Sequence, residues 1–241
     1  MVLTNNMRHF DDPVARARAP AKVIFHRTTL ISLLMIDALL VAVHAVLGAL
    51  FVAGASDAFP DILRIDRDWS LGEIANYLKW IALIGMCIAI FTRQNAVIFL
   101  AVAIMCAVAL FDDSLQLHER FSAPFSGLID PAGRLPGGTG ELTFLAMEEM
   151  LVAVPFLYGW IHAPRSVHRQ IIPLLGLFFA AFVCAGVVDF LHVKAAPQSV
   201  LSGMLGMLED GGEMVFLSLM VSYTAGLLDK AAPKAFVADP A

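Results

Sequence analysis

Charge is scarce in this chain: 15% of its 241 residues are Asp, Glu, Lys or Arg, against about 25% in ordinary soluble domains. A water-exposed globular surface cannot be built from so little. The 59% apolar composition and the mean hydropathy of +0.77 point the same way. No stripe of basic residues with interleaved aromatics occurs, so nucleic acid is not an expected partner. Cysteine is nearly absent, and Cys87, Cys106 and Cys184 each lie inside an apolar run. They read as small buried hydrophobes, neither a disulfide framework nor a Cys-x-x-Cys metal motif. There is also no internal repeat, no second soluble domain, and no small-residue cleavage site behind the basic N-terminus. The first apolar run therefore reads as a retained span and not as a removed signal.

What remains is a set of apolar runs of about 20 residues, the length needed to cross about 30 Å of hydrocarbon. They predict an all-α polytopic membrane protein, a bundle of six transmembrane helices at about 28–53, 71–91, 95–120, 141–162, 170–193 and 200–228. A cytoplasmic arm (1–27) and a cytoplasmic tail (229–241) flank the 28–228 transmembrane domain. Ser70 and Glu73 have the spacing of a capping box at the start of span 2, with Trp69 and Ile74 placed as its hydrophobic staple. Lys and Arg counts set the orientation. With the N-terminus inside, the inner segments hold Arg8, Arg16, Arg18, Lys22, Arg27, Arg93, Arg165, Arg169, Lys230 and Lys234. The outer segments hold only Arg64, Arg67, Arg120, Arg134 and Lys194. Both termini are therefore expected in the cytoplasm, with the protein in the cell membrane, as a multipass protein of the bacterial inner membrane.

Against this apolar background the acids stand out, since an unpaired charge costs roughly 2.5–3.5 kcal/mol at the bilayer centre. Span 3 ends in Phe111-Asp112-Asp113-Ser114-Leu115-Gln116-Leu117-His118-Glu119, span 4 carries Glu148-Glu149, span 5 Asp189 and His192, and span 6 Glu209, Asp210 and Glu213. In the expected topology all four clusters fall in the outer half of the membrane. Glu148 would lie roughly 10 Å and Glu209 roughly 15 Å below the outer helix ends at 1.5 Å per residue. One shared site follows. On a continuous helix Asp112, Gln116 and Glu119 share a face, as do Glu209 and Glu213. Asp189 and His192 have the i, i+3 spacing of carboxylate–histidine metal pairs in helical bundles. Glu148 and Glu149 cannot both face the bundle, and Glu148 is preferred because it shares a stripe with Glu141.

So many carboxylates cannot all stay ionised and unpaired; they take up protons, pair with basic residues, or surround a cation. Carboxylates with imidazole and without thiolate suit a divalent Zn, Mn or Fe ion. The expected metal ligands are Asp112, Gln116, His118, Glu119, Asp189, His192, Glu209 and Glu213, with Glu148 and Asp113 as candidate catalytic carboxylates. Asp37 and His44, seven apart on span 1, are expected to form an internal hydrogen-bonded pair.

Three segments carry a resemblance: Ile65-Asp66-Arg67-Asp68-Trp69 before span 2, Phe111-Asp112-Asp113-x-x-Gln116-x-His118-Glu119 ending span 3, and Leu208-Glu209-Asp210-Gly211-x-Glu213-Met214 on span 6. Over roughly residues 60–225 the chain resembles a family of uncharacterised bacterial multipass membrane proteins, which has no assigned activity. It departs from that pattern at Asp113 and Asp210, where Glu is expected, so the charge is kept. Alkaline ceramidase-like membrane hydrolases also set Asp and His around zinc in a helical bundle, but they use several histidines on a late helix, and span 6 here has none.

Three functional classes follow. The first is a metalloprotein, with the metal serving a reaction on a lipid or other membrane-borne substrate. The second is a proton or cation transporter, opposed by the nearly apolar inner halves of spans 3–6. The third is a non-enzymatic sensor or assembly subunit, with a membrane-protein partner or as a homo-oligomer.

Overall fold

The structure, a computed structural model, describes residues 25–57, 59–135, 139–192, 195 and 200–231. Most of the expected arm and tail lies outside the described residues. Every regular element among the described residues is helical: α1 (Arg27–Val52), α2 (Leu71–Gln94), α3 (Val97–Leu115), α4 (Leu117–Ile129), α5 (Thr139–His162), α6 (Arg165–Phe182), α7 (Asp189–His192) and α8 (Val200–Lys230). A 3₁₀ turn, Asp61–Leu63, precedes α2, and a π-helical segment, Val183–Val188, joins α6 to α7. Six helical stretches are long and apolar enough to cross a membrane; α6, the π segment and α7 together make one of them. The chain is a multipass membrane protein by these elements.

Helix ends follow local chemistry. At the start of α2, Ser70 Oγ accepts the Glu73 N–H at 3.3 Å, the first half of the expected capping box. The second half differs: the Glu73 carboxylate takes the N–H of Trp69, not of Ser70, at 2.5 Å, and also the Tyr77 hydroxyl at 2.8 Å. Trp69 adopts φ 60° and packs edge-on to Tyr77. Asn95, at φ 57°, closes α2 with its N–H on Phe91 O, which allows α3 to begin two residues later and run back alongside α2.

The core forms where α2, α3, α6 and α8 meet, around Leu83, Ile90, Phe99, Ile171, Leu217 and Met220. Helix α8 is the central element: 61% of its most apolar stretch is buried, against 6% for α1. Gly159 lets α5 lie directly on α3, since a Cβ there would sit 2.8 Å from the Ile98 Cα.

A buried polar cluster ties the peripheral α1 to α2 and α8. Lys79 Nζ lies 2.7 Å from Asp37 Oδ1, 3.1 Å from Asn76 Oδ1 and 3.0 Å from Met214 O, and the Ser218 hydroxyl donates to Asp37 Oδ2 at 2.5 Å. Asp37 is 1% and Lys79 4% exposed. The expected Asp37–His44 pair therefore does not form. His44 instead accepts the Ile65 N–H at 3.1 Å and stands 3.6 Å from Asp66. Sharing a helix face gave the two residues no common partner, because α2 offers Asp37 a cation and the 59–70 connection offers His44 a backbone donor.

Candidate functional site

The expected third span, 95–120, is not one helix. Gln116 takes a left-handed conformation (φ 53°, ψ 44°), ending α3 and starting α4. The predicted face of Asp112, Gln116 and Glu119 is broken by that turn. In its place the chain folds back so that the Asp112 carboxylate grips His118 twice: Oδ1 accepts the His118 N–H at 2.8 Å, and Oδ2 lies 2.8 Å from the ring Nδ1. On the far side of the ring, Nε2 stands 3.6 Å from Glu141 Oε1. Burial works against a charged ring, but the bond and charge of Asp112, with Glu141 and Asp113 behind it, prevail and raise His118 to about 9. Helix α4 packs on α5 through Phe121 and Phe125, whose rings sit 5.2 and 5.4 Å from that of Phe144.

Beside this dyad is a cavity of about 200 Å³. Its polar wall holds Asp112, Asp113 and His118 from α3 and α4, Glu141, Glu148 and Glu149 from α5, and Glu213 from α8. Its apolar wall includes Trp80, Phe178, Phe182 and Phe190, and the π segment contributes Ala185 and Gly186. A π turn widens the helix locally, and here it faces the acids. At about 30 Å³ per water the cavity has room for an ion with several waters. Six carboxyls around one imidazole leave a deficit of positive charge that protons or a bound cation must make good. Among the described residues, no three His, Cys, Asp or Glu are grouped as placed to hold a metal ion.

A second polar cluster joins α7 to α8. His192 Nδ1 lies 2.8 Å from Glu209 Oε2, and His192 Nε2 lies 3.1 Å from Ser202 Oγ. Neither His192 nor Glu209 is among the residues that line the cavity.

The family model described as a domain of unknown function (DUF8692) matches residues 33–227. The chain belongs to that family. No curated protein and no solved structure matches it. The match takes in all six spanning stretches of this DUF8692 member in whole or in large part, together with both polar clusters.

Of the expected site residues, Asp112, Asp113, His118, Glu148 and Glu213 meet at the cavity. Gln116 supplies the turn that makes the site, and Glu119 is exposed and outside the cavity wall. Asp189 lies on α7, with its side chain outside the described residues. Glu148 and Glu149 both line the cavity, against the expectation that only one would: neighbours 100° apart on a helix straddle a cavity that spreads across two contacts. Sequence reasoning passed over Glu141 as a site residue, although it lies seven before Glu148 on one helical stripe. It also passed over Ser202, seven before Glu209 on α8, and the pairing of the mid-span Lys79 with the mid-span Asp37.

Proposed function

We propose that the cavity binds a divalent cation, with His118 Nε2 and Glu141 as its first donors and Asp113, Glu148 and Glu213 as further carboxylates that close on it. The observation that carries this reading is the Asp112–His118 bond. A carboxylate on Nδ1 is the usual outer partner of a metal-ligating histidine, since it fixes the ring and leaves Nε2 to the metal. Nε2 here faces a carboxylate oxygen at 3.6 Å, a little wider than two donors on one ion would stand, so closure asks only for side-chain rotation. The donor set is oxygen with one imidazole, which suits Mn, Fe or Zn.

Bound there, the metal would supply Lewis acidity toward a lipid or other membrane-borne substrate, with Glu148 or Asp113 as general base. The Lys and Arg distribution supports an acidic end on the outer face of a bacterial inner membrane and both termini in the cytoplasm. The test is elemental analysis of protein purified in mild detergent without chelator, then offered Mn, Fe and Zn in turn. About one metal per chain is expected, falling at least tenfold in His118→Ala and Glu141→Ala. A folded wild-type chain that retains none of the three ions refutes the reading.

A second reading, a proton or cation route, gains support from one feature. Lys79 lies within electrostatic range of Glu213, so polar groups continue past the cavity toward Asp37 and Ser218. Cation or proton flux in proteoliposomes that disappears in Glu213→Gln would favour it over the first.

A further inference from the structure

The Ser202–His192–Glu209 cluster has the connectivity of a nucleophilic triad. One carboxylate oxygen holds the ring Nδ1 at 2.8 Å, and the opposite ring nitrogen holds a serine hydroxyl at 3.1 Å. Both distances fall within the range of about 2.6–3.2 Å that proton transfer requires. Serine and glutamate stand seven apart on α8, hence on one face, and the histidine reaches across from α7 to lie between them. Gly206 sits midway between them on that face. A Cβ at 206 would come within 3.1 Å of the His192 Cε1, so the missing side chain is what lets the ring lie flat against α8.

We propose that Ser202 is the nucleophile of a serine-type acyl hydrolase site, with His192 as its base and Glu209 as the group that orients His192. The substrate class follows from the surroundings. Leu191, Leu201, Met204 and Leu208, the sequence neighbours of the three residues, are 50–59% exposed, an apolar surface that faces acyl chains in a bilayer. The substrate is a carboxylic ester of a membrane lipid.

With its proton on Nδ1, His192 donates to Glu209 and accepts the Ser202 hydroxyl at Nε2. Ser202 Oγ adds to the ester carbonyl carbon as its proton moves to Nε2. The C–O bond to the alcohol then breaks, and the alcohol leaves with that proton. Water adds to the acyl-serine, again giving a proton to Nε2. Collapse releases the carboxylic acid and returns the proton to Oγ. Water is the sole co-reactant. Ser202 lies in the first turn of α8, where the positive end of the helix dipole favours developing negative charge.

This site stands apart from the cavity and needs no metal, so the two readings fail separately. The experiment treats the full chain in lipid nanodiscs with a fluorophosphonate probe, with and without EDTA, and maps the adduct by mass spectrometry. The expected result is an adduct on Ser202 that EDTA leaves unchanged and that is absent in Ser202→Ala. His192→Gln keeps hydrogen-bonding capacity but cannot serve as the base, and it should slow labelling by about 10²–10⁴-fold. Gly206→Ala should slow labelling too, whereas Gly203→Ala, with no atom within 4 Å of its added Cβ, should not. Folded wild-type protein that gains no adduct at Ser202 overturns the proposal, as does a His192→Gln variant that labels at the wild-type rate.

Discussion

Cutting one partner from the Asp37–Lys79 pair should be among the most damaging single changes available in this protein. Both side chains are almost fully buried, their nitrogen–oxygen distance is 2.7 Å, and Asn76, Ser218 and Met214 O complete the shell. A buried charge stripped of its partner costs about 3–5 kcal/mol, whereas replacing both partners with apolar groups of similar volume is often neutral or better. Asp37→Leu and Lys79→Met are each expected to lose about 3–5 kcal/mol, and the double variant to recover most of that loss. The coupling in a double-mutant cycle should then far exceed the few tenths of a kcal/mol typical of independent sites. Trp80, 4% exposed and next to Lys79 in sequence, reports unfolding by its fluorescence during SDS titration in mixed micelles. The loss should concentrate in α1, the least buried of the six spanning stretches, so protease access to its far end should rise in the single variants. Single variants within about 1 kcal/mol of wild type, or losses that simply add, would show that the pair does not hold α1 in place.

Two further outcomes follow from the geometry. Gln116→Gly should leave metal retention intact and be neutral or slightly stabilising, because glycine accepts the left-handed backbone freely. Gln116→Val should destabilise by about 1–3 kcal/mol in the same SDS titration and loosen the Asp112–His118 grip. For Asp66, burial pushes the carboxyl up, but the hydrogen bond and charge of Arg64, helped by His44, outweigh it and hold the group below its ordinary value. A lowered folded value means that its stabilisation is present above the unfolded value of about 3.9 and is lost as pH falls through the lower folded value. That contribution is modest, about 0.5–1 kcal/mol for a partly exposed pair. Acid unfolding followed by fluorescence should therefore be shallower below about pH 4 in Asp66→Asn than in wild type.

The bundle was readable because hydrophobic length is a property of each segment alone. Ser70 with Glu73 marked the start of α2 for the same reason: a cap is local. The break at Gln116 was not readable, since glutamine has no preference for a left-handed backbone. What stabilises the turn is the pair of hydrogen bonds between Asp112 and His118, which exists only after the turn forms. The gathering of acids at one end was legible from their depth along alternating helices, yet depth says nothing of azimuth. His192 and Glu209 therefore went with the cavity in the sequence reading, whereas the structure pairs them with Ser202. Asp37 was assigned a partner on its own helix because face-sharing is visible in sequence. Its actual partner is 42 residues away, on a helix whose rotation only packing determines.

The tether of α1 also has a consequence for how the chain is made. Asp37 leaves the ribosome 42 residues ahead of Lys79 and 181 residues ahead of Ser218. At about 5–20 residues per second, the second interval alone lasts roughly 9–36 s. Throughout that time the first helix carries an acid that lipid disfavours, and until α2 arrives there is no cation to receive it. The membrane insertion machinery must therefore keep α1 close at hand until α8 arrives and completes its seat. Among the described spans, the earliest one made is secured only when α8 is in place.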